Sequence, residues 1–403
     1  MALLRTNASP PYVLTSPESY SRPRFWATVW TVRTMGNGRA ENTIKTHLRH
    51  IDRFYLYCDS RFGSESLDNS LGDKNAPLLR RMLDDFYLSL TATGGYTSTD
   101  AQCWDSVKRF VLHFAQQWAV EHPSWAILSN AVSAIGRIRS PQRGRIKFAR
   151  ALPEATLKEL LVVAEPGSAL NPFQDPAVQS RNWLILLILL LCGLRRGEAL
   201  LLTVDALKHD VDTQTGEFRY WLDVTSTGDD DTRATKPSMK TAESHRQVPI
   251  SADLAALYER YVAEYRVDDY SHRFLITSSR GGPASAETIN KMLTKLTSVI
   301  SRSALKLFHD RTSGKQSISP HDLRHTSATV RYGLFLEAGA DRDLAMQRMR
   351  AFFGWSIESE MPALYARAAI QDDLLKSWSN LFDKRVSALR ATGSTTEIPL
   401  DEH

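Results

Sequence analysis

Residues 23–139 of the chain place apolar side chains at steps of three and four. After Asn42 these apolar positions are Ile44, Leu48, Ile51, Phe54, Tyr55 and Cys58, while Lys45, Arg49 and Arg53 fall on another side. Such spacing predicts an amphipathic helix with a basic face. The same steps recur within residues 78–90, 104–118 and 125–138. This part of the chain is therefore predicted to be an α-helical module of four or five helices with no convincing strand.

The rest of the chain mixes helical and extended patterns. Residues 152–154, Leu-Pro-Glu, open an amphipathic helix, because proline and an acidic residue favour the first turn. The apolar run from Trp183 to Cys192 predicts a buried helix, since it is about half as long as a membrane span. Residues 218–224 and 245–250 are rich in β-branched and aromatic side chains and predict two strands. Helical spacing returns after Asp253.

Composition indicates where the domains begin and end. Residues 1–22 are rich in Ser, Pro and Thr and predict a flexible N-terminal arm, and the polar residues 391–403 predict a disordered tail. Between them we place the helical module at 23–139, a linker at 140–150 and a second domain at 151–390. Two domains also suit a globular chain of 403 residues with 42% apolar and 24% charged residues.

Positive charge is concentrated in the first part of the chain. Residues 1–150 hold 20 Lys and Arg against 12 Asp and Glu, whereas the whole chain has a net charge of +5. Such an excess suits a polyanion-binding module, although many basic surfaces are only solvated. The linker region offers the candidate DNA contacts Arg137, Arg139, Arg143, Arg145 and Lys147. It can serve as an exposed tether, or it can follow DNA phosphates and add salt-sensitive affinity.

The cysteines and the N-terminus bear on the compartment. Cys58, Cys103 and Cys192 have neither paired spacing nor a histidine at ligand spacing, which is typical of buried thiols in a reducing compartment. The N-terminus shows no long apolar region of a secretory signal. We therefore expect a cytoplasmic protein, nucleoid-associated if the host is bacterial, that uses no membrane and no metal.

Two arginines, Arg195 and Arg324, are candidates for binding a phosphodiester. Arg195 follows a glycine turn after the buried helix. Arg324 lies three residues after His321, so that His321 and Arg324 share one helix face. A guanidinium offers a planar fork to two phosphate oxygens, and two of them can neutralise a pentavalent phosphorus. Each arginine alone also has a plain structural explanation, as a capping or solvated residue. Their combination favours phosphate chemistry.

Tyr365 and Lys240 are candidate reactive groups. A tyrosine is a weak nucleophile because its pKa is near 10, but neighbouring arginines favour the phenolate. Lys240 precedes the second predicted strand and could protonate a departing 5′ oxygen. The plain alternatives are a half-buried packing tyrosine and a solubilising lysine.

In chain order, these motifs resemble the boxes of the tyrosine recombinases, also called the phage integrase family. The matching residues are Gly193-Leu194-Arg195 with Glu198, the segment that begins at Lys240-Thr241 and ends in Arg246-x-Val248-Pro249, His321-x-Leu323-Arg324-His325, Gly354-Trp355 and Tyr365. The resemblance covers residues 150–390, and the helical module before them resembles the family's core-binding domain more weakly. Five boxes in the right order are a specific signal, whereas any one alone would be weak.

The resemblance implies a two-domain, C-shaped DNA clamp, mainly α with a small antiparallel β-sheet. A helical core-binding (SAM-like) domain would precede the α+β catalytic domain. The implied reaction is site-specific strand cleavage and rejoining for integration, excision or transposition of a mobile element. The implied partners are double-stranded DNA with paired recombination sites, other copies of the chain in a homotetramer, and accessory recombination factors.

The resemblance also implies a role for each matching residue. Arg195 and Arg324 would hold the scissile phosphate. Lys240 would be the general acid, and His321 would assist proton transfer. Tyr365 would attack to give a 3′-phosphotyrosyl bond. Because that ester retains the bond energy, rejoining would need neither ATP nor another cofactor.

Trp355 marks two departures from the family pattern. It lies ten residues before Tyr365, one more than is usual, which inserts a residue before the nucleophile. It also occupies a position that is His or Trp in relatives, and its indole only donates. Trp355 could therefore brace a phosphate oxygen or the core, and His321 would have to serve as the base.

Three alternatives share some of these features. His321-Asp322-x-x-His325 resembles a zincin helix, but Asp is shorter than the usual Glu and Arg324 would bring a cation beside the metal. A type IB topoisomerase would share the cleavage chemistry, although a separate helical module and basic linker suit a site-specific clamp at least as well. A non-catalytic DNA-binding protein of the same fold would be expected to have lost some of these side chains.

Overall fold

The chain divides into two units, Met1–Ile146 and Lys147–His403, each with its own hydrophobic core. The structure is a computed structural model, and it describes residues 3–6, 10, 12–16, 22–35, 41–92, 96–135, 151–226, 231–233, 235–239, 241–267 and 272–367. The predicted linker contacts Arg137, Arg139, Arg143, Arg145 and Lys147 lie outside these residues, and so do Lys240 and the predicted C-terminal tail.

The first unit is a helical module with a short hairpin. Its elements are β1 (Leu3–Arg5), β2 (Tyr12–Leu14), α1 (Phe25–Met35), α2 (Glu41–Phe62), α3 (Ser66–Gly72), α4 (Ala76–Ala92), α5 (Ser98–Trp118) and α6 (Pro123–Ala134). The helix predicted after Asn42 is α2, and its apolar stripe is buried as expected. The antiparallel β1–β2 pair lies within residues 1–22, where a flexible arm was expected, and the described residues of the module predicted at 23–139 form six helices instead of four or five. Strands of three residues are too short for a period of two to show in the sequence.

The second unit packs helices around a three-stranded sheet. Its elements are α7 (Glu154–Ala164), α8 (Pro176–Leu191), α9 (Arg196–Leu201), β3 (Leu207–Val211), β4 (Phe218–Val224), β5 (Arg246–Ile250), α10 (Ala252–Arg260), α11 (Ala286–Thr297), α12 (Arg302–Thr312), α13 (Pro320–Glu337), α14 (Arg342–Phe353) and α15, over 361–367. A 3-10 turn, Ala242–Ser244, precedes β5, and a π-helical segment, Tyr261–Tyr265, follows α10. The mainly α class with a small antiparallel sheet is confirmed.

The sheet runs β3-β4-β5, antiparallel throughout, and buries one face against the helices. Leu222 of β4 lies opposite Val248 of β5, and both side chains are fully buried. The two predicted strands are β4 and β5. Strand β3 escaped prediction because four of its five residues are exposed, which leaves no alternation of apolar and polar positions.

Helix α8 carries the apolar run seen in the sequence, and it is buried as predicted. It ends before Gly193, whose φ of +59° turns the chain toward α9. A Cβ at that glycine would lie 2.3 Å from the Phe353 ring, so no other residue fits without a shift of its neighbours. Among the described residues, no helix has the length and apolar character to cross a membrane.

Gly354 ends α14 and lies against the backbone just before β5. Its φ of +60° is left-handed, and a Cβ there would lie 2.7 Å from the Glu243 carbonyl oxygen. The same Cβ would lie 3.0 Å from the Arg246 guanidinium. Glycine therefore permits both the turn and the close approach of the two backbones.

Gly354→Ala should destabilise the chain more than Gly314→Ala. Gly314 is also left-handed, at φ +88°, but an added Cβ there would have no heavy atom within 4 Å. Backbone strain alone should lower the free energy of unfolding of the control by about 1–2 kcal/mol. Overpacking should lower that of Gly354→Ala by a further ~1–3 kcal/mol. Denaturant unfolding measures both variants. Equal losses would contradict the close packing described at Gly354.

Candidate active site

Glu198 is a buried carboxylate on which three arginines converge. Its carboxylate accepts hydrogen bonds from Arg195 at 2.5 Å and Arg246 at 3.1 Å, and it lies 3.8 Å from the Arg324 guanidinium. Glu198 also accepts the backbone N–H of Arg195 at 2.9 Å, which caps the start of α9. Since these arginines come from three separate parts of the second unit, Glu198 ties α9, β5 and α13 together.

The charges around Glu198 do not balance. Burial alone would raise the pKa of Glu198, but Arg246, Arg324 and Arg195 together outweigh burial and hold the pKa below its ordinary value. The carboxylate is therefore ionised at neutral pH and offsets one of three positive charges. The remaining positive charge favours an anion at the surface of this cluster.

Arg324 is positioned by backbone carbonyls. Its guanidinium donates to the carbonyl oxygens of Gly193 at 2.5 Å and Phe353 at 2.7 Å. It also lies 5.1 Å from the ring centroid of Phe353 and 5.5 Å from that of Trp355, within cation–π range. Burial, followed by the charge of Arg195, lowers the pKa of Arg324 to about 9, which leaves it charged at neutral pH.

A cleft of about 350 Å³ opens beside this cluster. Its lining consists of Arg195, Arg196, Gly197, Asn290, Ser319, Pro320, His321 and Arg324. The Arg195 side chain is 20% exposed, while Arg324 shows only 6% of its side chain. The first arginine is thus more accessible from solvent, and the second forms part of the wall.

Helix α13 presents His321 to the cleft. It begins with a capping box in which Ser319 and Asp322 bond reciprocally, with Pro320 in the first turn. This start places His321 and Arg324 in the first two turns. The His321 side chain is exposed at the cleft, and partial loss of water there, then the Arg324 charge, lowers its pKa. His321 is therefore mainly neutral at pH 7 and can donate from one ring nitrogen.

Tyr365 belongs to an aromatic stack next to Arg324. Trp355 stacks on Phe353, with centroids 4.8 Å apart and planes at 16°, and on Tyr365, at 5.5 Å and 11°. Tyr365 is only 1% exposed, and burial raises its pKa well above the ordinary value of 10.0. Between the two rings, residues 356–360 form a turn in which the Ser359 N–H bonds to the Ser356 carbonyl.

The sequence-predicted residues thus fall into three groups. Arg195, His321 and Arg324 meet at the cleft, whereas Trp355 and Tyr365 pack beside Arg324 and do not line it. Lys240 lies outside the described residues.

Sequence reasoning gave no chemical role to two further residues. His325 places Nδ1 2.5 Å from the Tyr365 hydroxyl, and Arg246 donates to Glu198. Both stand inside the family boxes, and His325 follows His321 by four residues on one helix face. That spacing was the available signal for His325.

A zinc site on His321 and His325 would need a third protein ligand, and the part of the chain that the structure describes offers none. No three His, Cys, Asp or Glu side chains gather there as metal ligands. Asp322 instead accepts hydrogen bonds from Ser319 and Lys315.

Glu198→Gln should lower the free energy of unfolding by about 3 kcal/mol, because it leaves buried guanidiniums without their counter-ion. A folded pKa below the ordinary 4.5 means that the contribution of Glu198 is complete above pH 4.5 and is lost as the pH falls through the folded pKa. Denaturant unfolding from pH 7 to 3 should show wild type and variant converging at the acid end. A gap that stays constant would contradict the ion cluster. Glu154→Gln, which alters the exposed pair with Lys158, is the control and should show no measurable change.

Comparisons with known proteins place the chain in a family. The model of the phage integrase family matches residues 154–370, more than half of the chain. No curated protein matches it. One similar solved structure is XerA recombinase, at 16% identity over 88% of this chain and 98% of that chain, with a TM-score of 0.36. A second is XerH recombinase in a post-cleavage complex with palindromic difH, at 14% identity over 89% of this chain and 94% of that chain, with a TM-score of 0.45. A third is a lambda integrase tetramer bound to a Holliday junction, at 14% identity over 89% of this chain and 96% of that chain, with a TM-score of 0.35. On the extent of the family match, the chain belongs to the phage integrase family, the tyrosine recombinases.

Proposed function

We propose that the chain is a site-specific recombinase that cleaves and rejoins DNA through a 3′-phosphotyrosyl intermediate on Tyr365. The observation that carries this proposal is the cleft where Arg195, His321 and Arg324 meet beside a buried tyrosine. Membership of the tyrosine recombinase family supports it.

The scissile phosphate would occupy the cleft. Arg195, the more accessible arginine, would contact its non-bridging oxygens, and Arg324 would contribute charge from the wall. Neutral His321 would donate one hydrogen bond. The uncompensated charge around Glu198 would stabilise the extra negative charge of the pentavalent transition state.

Attack by the Tyr365 hydroxyl would join phosphorus to tyrosine and release a 5′ hydroxyl. Lys240, assigned through the family resemblance, would protonate the leaving oxygen. Rejoining would reverse the step, with a 5′ hydroxyl attacking the tyrosyl ester. No cofactor is required, because the ester conserves the energy of the broken bond.

Tyr365 has to move before it can attack. It is buried in the stack with Trp355 and does not line the cleft. We infer that DNA binding shifts α15 and brings the hydroxyl to the phosphate. Burial keeps the phenol un-ionised until then, which suppresses reaction in the absence of a bound site.

The wider reaction is integration, excision or transposition of a mobile element by a homotetramer on paired sites. Membership of the phage integrase family supports the mobile-element role. The proposed tetramer contact involves the apolar sequence positions after Ile370, which are Leu374, Leu375, Trp378, Leu381, Phe382 and Val386. The basic residues 137–147 would follow DNA phosphates.

Tyr365→Phe should abolish covalent adduct formation and leave DNA binding intact. The substrate is a nicked suicide duplex whose site is selected from a randomised library by binding to Tyr365→Phe. Gels of denatured samples detect the adduct. Tyr332→Phe is the matched control, because within the described residues the Tyr332 hydroxyl is buried without a hydrogen-bond partner, and it should keep wild-type yield. An adduct with Tyr365→Phe would show that the nucleophile is misassigned.

Truncation of the chain after residue 369 should impair the pairing of two DNA sites more than the binding of a single site. Its loss of the apolar positions after Ile370 should weaken contacts between subunits without altering the arginine cleft. Mobility-shift assays separate single-site complexes from paired-site complexes. Equal losses of both complexes would count against the subunit contact, and relaxation of plasmids that lack the site would favour a topoisomerase.

A further inference from the structure

The hydroxyl of Tyr365 is hydrogen-bonded to a histidine that the sequence motifs left without a role. Nδ1 of His325 lies 2.5 Å from this hydroxyl, and the two ring centroids are 5.7 Å apart with planes at 49°. Both side chains are held in place, since His325 sits within α13 and Tyr365 is stacked on Trp355. The contact is therefore part of the packed interior, and the shift of α15 that brings the hydroxyl to the phosphate has to keep it within reach of Nδ1.

The direction of this hydrogen bond depends on the tautomer of His325. We assign the neutral tautomer with its hydrogen on Nε2, in which the buried phenol donates and Nδ1 accepts through its lone pair. The charged and titratable groups around it are His321, Asp322, Arg324 and Lys315. Burial, followed by His321, lowers the pKa of His325 below its ordinary value, which keeps the lone pair available at neutral pH.

The other candidate bases near Tyr365 have different partners. Glu198 is held by three guanidiniums, and Asp322 accepts from Ser319 and Lys315. Trp355 only donates. His321 lies toward the cleft, with its ring centroid 6.3 Å from that of His325. Among the described residues, His325 is the base in hydrogen-bond contact with the nucleophile.

We propose that His325 takes the Tyr365 proton during attack and returns it during rejoining. This inference rests on the proposed function. As the bond between the Tyr365 oxygen and phosphorus forms and the bond from phosphorus to O5′ breaks, the phenol proton moves to Nδ1 of His325. The departing O5′ receives a separate proton from the general acid, assigned above to Lys240. In rejoining, the 5′ hydroxyl attacks, the tyrosyl ester breaks and His325 gives the proton back.

The proposal assigns separate roles to the two histidines. His321 contacts the phosphate in the cleft, and His325, one helical turn further along the same face of α13, serves the nucleophile. It differs from the sequence expectation that His321 assists proton transfer to and from the reacting groups. The difference arises because α15 places the Tyr365 hydroxyl against the second histidine of the motif.

The test measures the rate of adduct formation by His325→Asn on the selected suicide duplex. An asparagine amide reaches the position of Nδ1 and can hold the hydroxyl, but it cannot take a proton. We expect a loss of about 100-fold or more, the range of general-base catalysis. The loss should persist on a duplex with a bridging 5′ sulfur, which leaves without a general acid. A fluorinated tyrosine that ionises near neutral pH, introduced at position 365 of His325→Asn, should restore most of the rate of adduct formation, because that nucleophile needs no base.

His321→Asn is the comparator, and its loss should not be recovered by the fluorinated tyrosine. Wild-type or faster adduct formation by His325→Asn would overturn the proposal, and so would a loss that the fluorinated tyrosine leaves unchanged. Should His325→Asn fail to fold, the pH profile of the otherwise unaltered chain decides. The fluorinated nucleophile should remove the fall in rate at acid pH, and persistence of that fall would overturn the proposal. Failure of wild type to form any adduct would instead refute the proposed function itself.

Discussion

One buried carboxylate, Glu198, holds the candidate active site together. It is 1% exposed, and the guanidiniums of Arg195, Arg246 and Arg324 surround it. Burying a single charge is costly unless it is paired, so this carboxylate and its arginines are each tolerated inside the unit only because of the others. The same arrangement leaves positive charge at the cleft. Structural stability and affinity for an anion therefore depend on one cluster.

Packing keeps Tyr365, the proposed nucleophile, apart from the cleft. The arginines are already fixed by Glu198 and by backbone carbonyls, whereas Tyr365 is buried, un-ionised and stacked on Trp355. The groups proposed to bind phosphate are thus preorganised, and the proposed reaction requires a movement of α15. Under the proposed function, cleavage requires bound DNA, and Nδ1 of His325 is the basic nitrogen already in contact with the Tyr365 hydroxyl. A base in contact with its hydroxyl would allow a tyrosine with a raised pKa to serve as a nucleophile.

Much of this site could be predicted because its residues stand in motifs of fixed order. The spacing of apolar residues predicted α2 and the buried α8, and the aromatic and β-branched content of residues 218–224 predicted β4. The role of His325 could not be predicted, because its contact with Tyr365 depends on how α15 packs against α13. The ten-residue spacing between Trp355 and Tyr365 indicated a change of register, but it could not show that the two rings stack on each other. The three-residue strands β1 and β2 were too short for any periodicity to show.

The central claim is that Tyr365 carries the DNA strand during the reaction. Its most direct test is mass spectrometry of the trapped complex after digestion with nuclease and protease. The account predicts a peptide that contains Tyr365 with a nucleotide attached to the phenol through its 3′ phosphate. A nucleotide on any other residue, or a 5′-phosphate linkage to Tyr365, would contradict it.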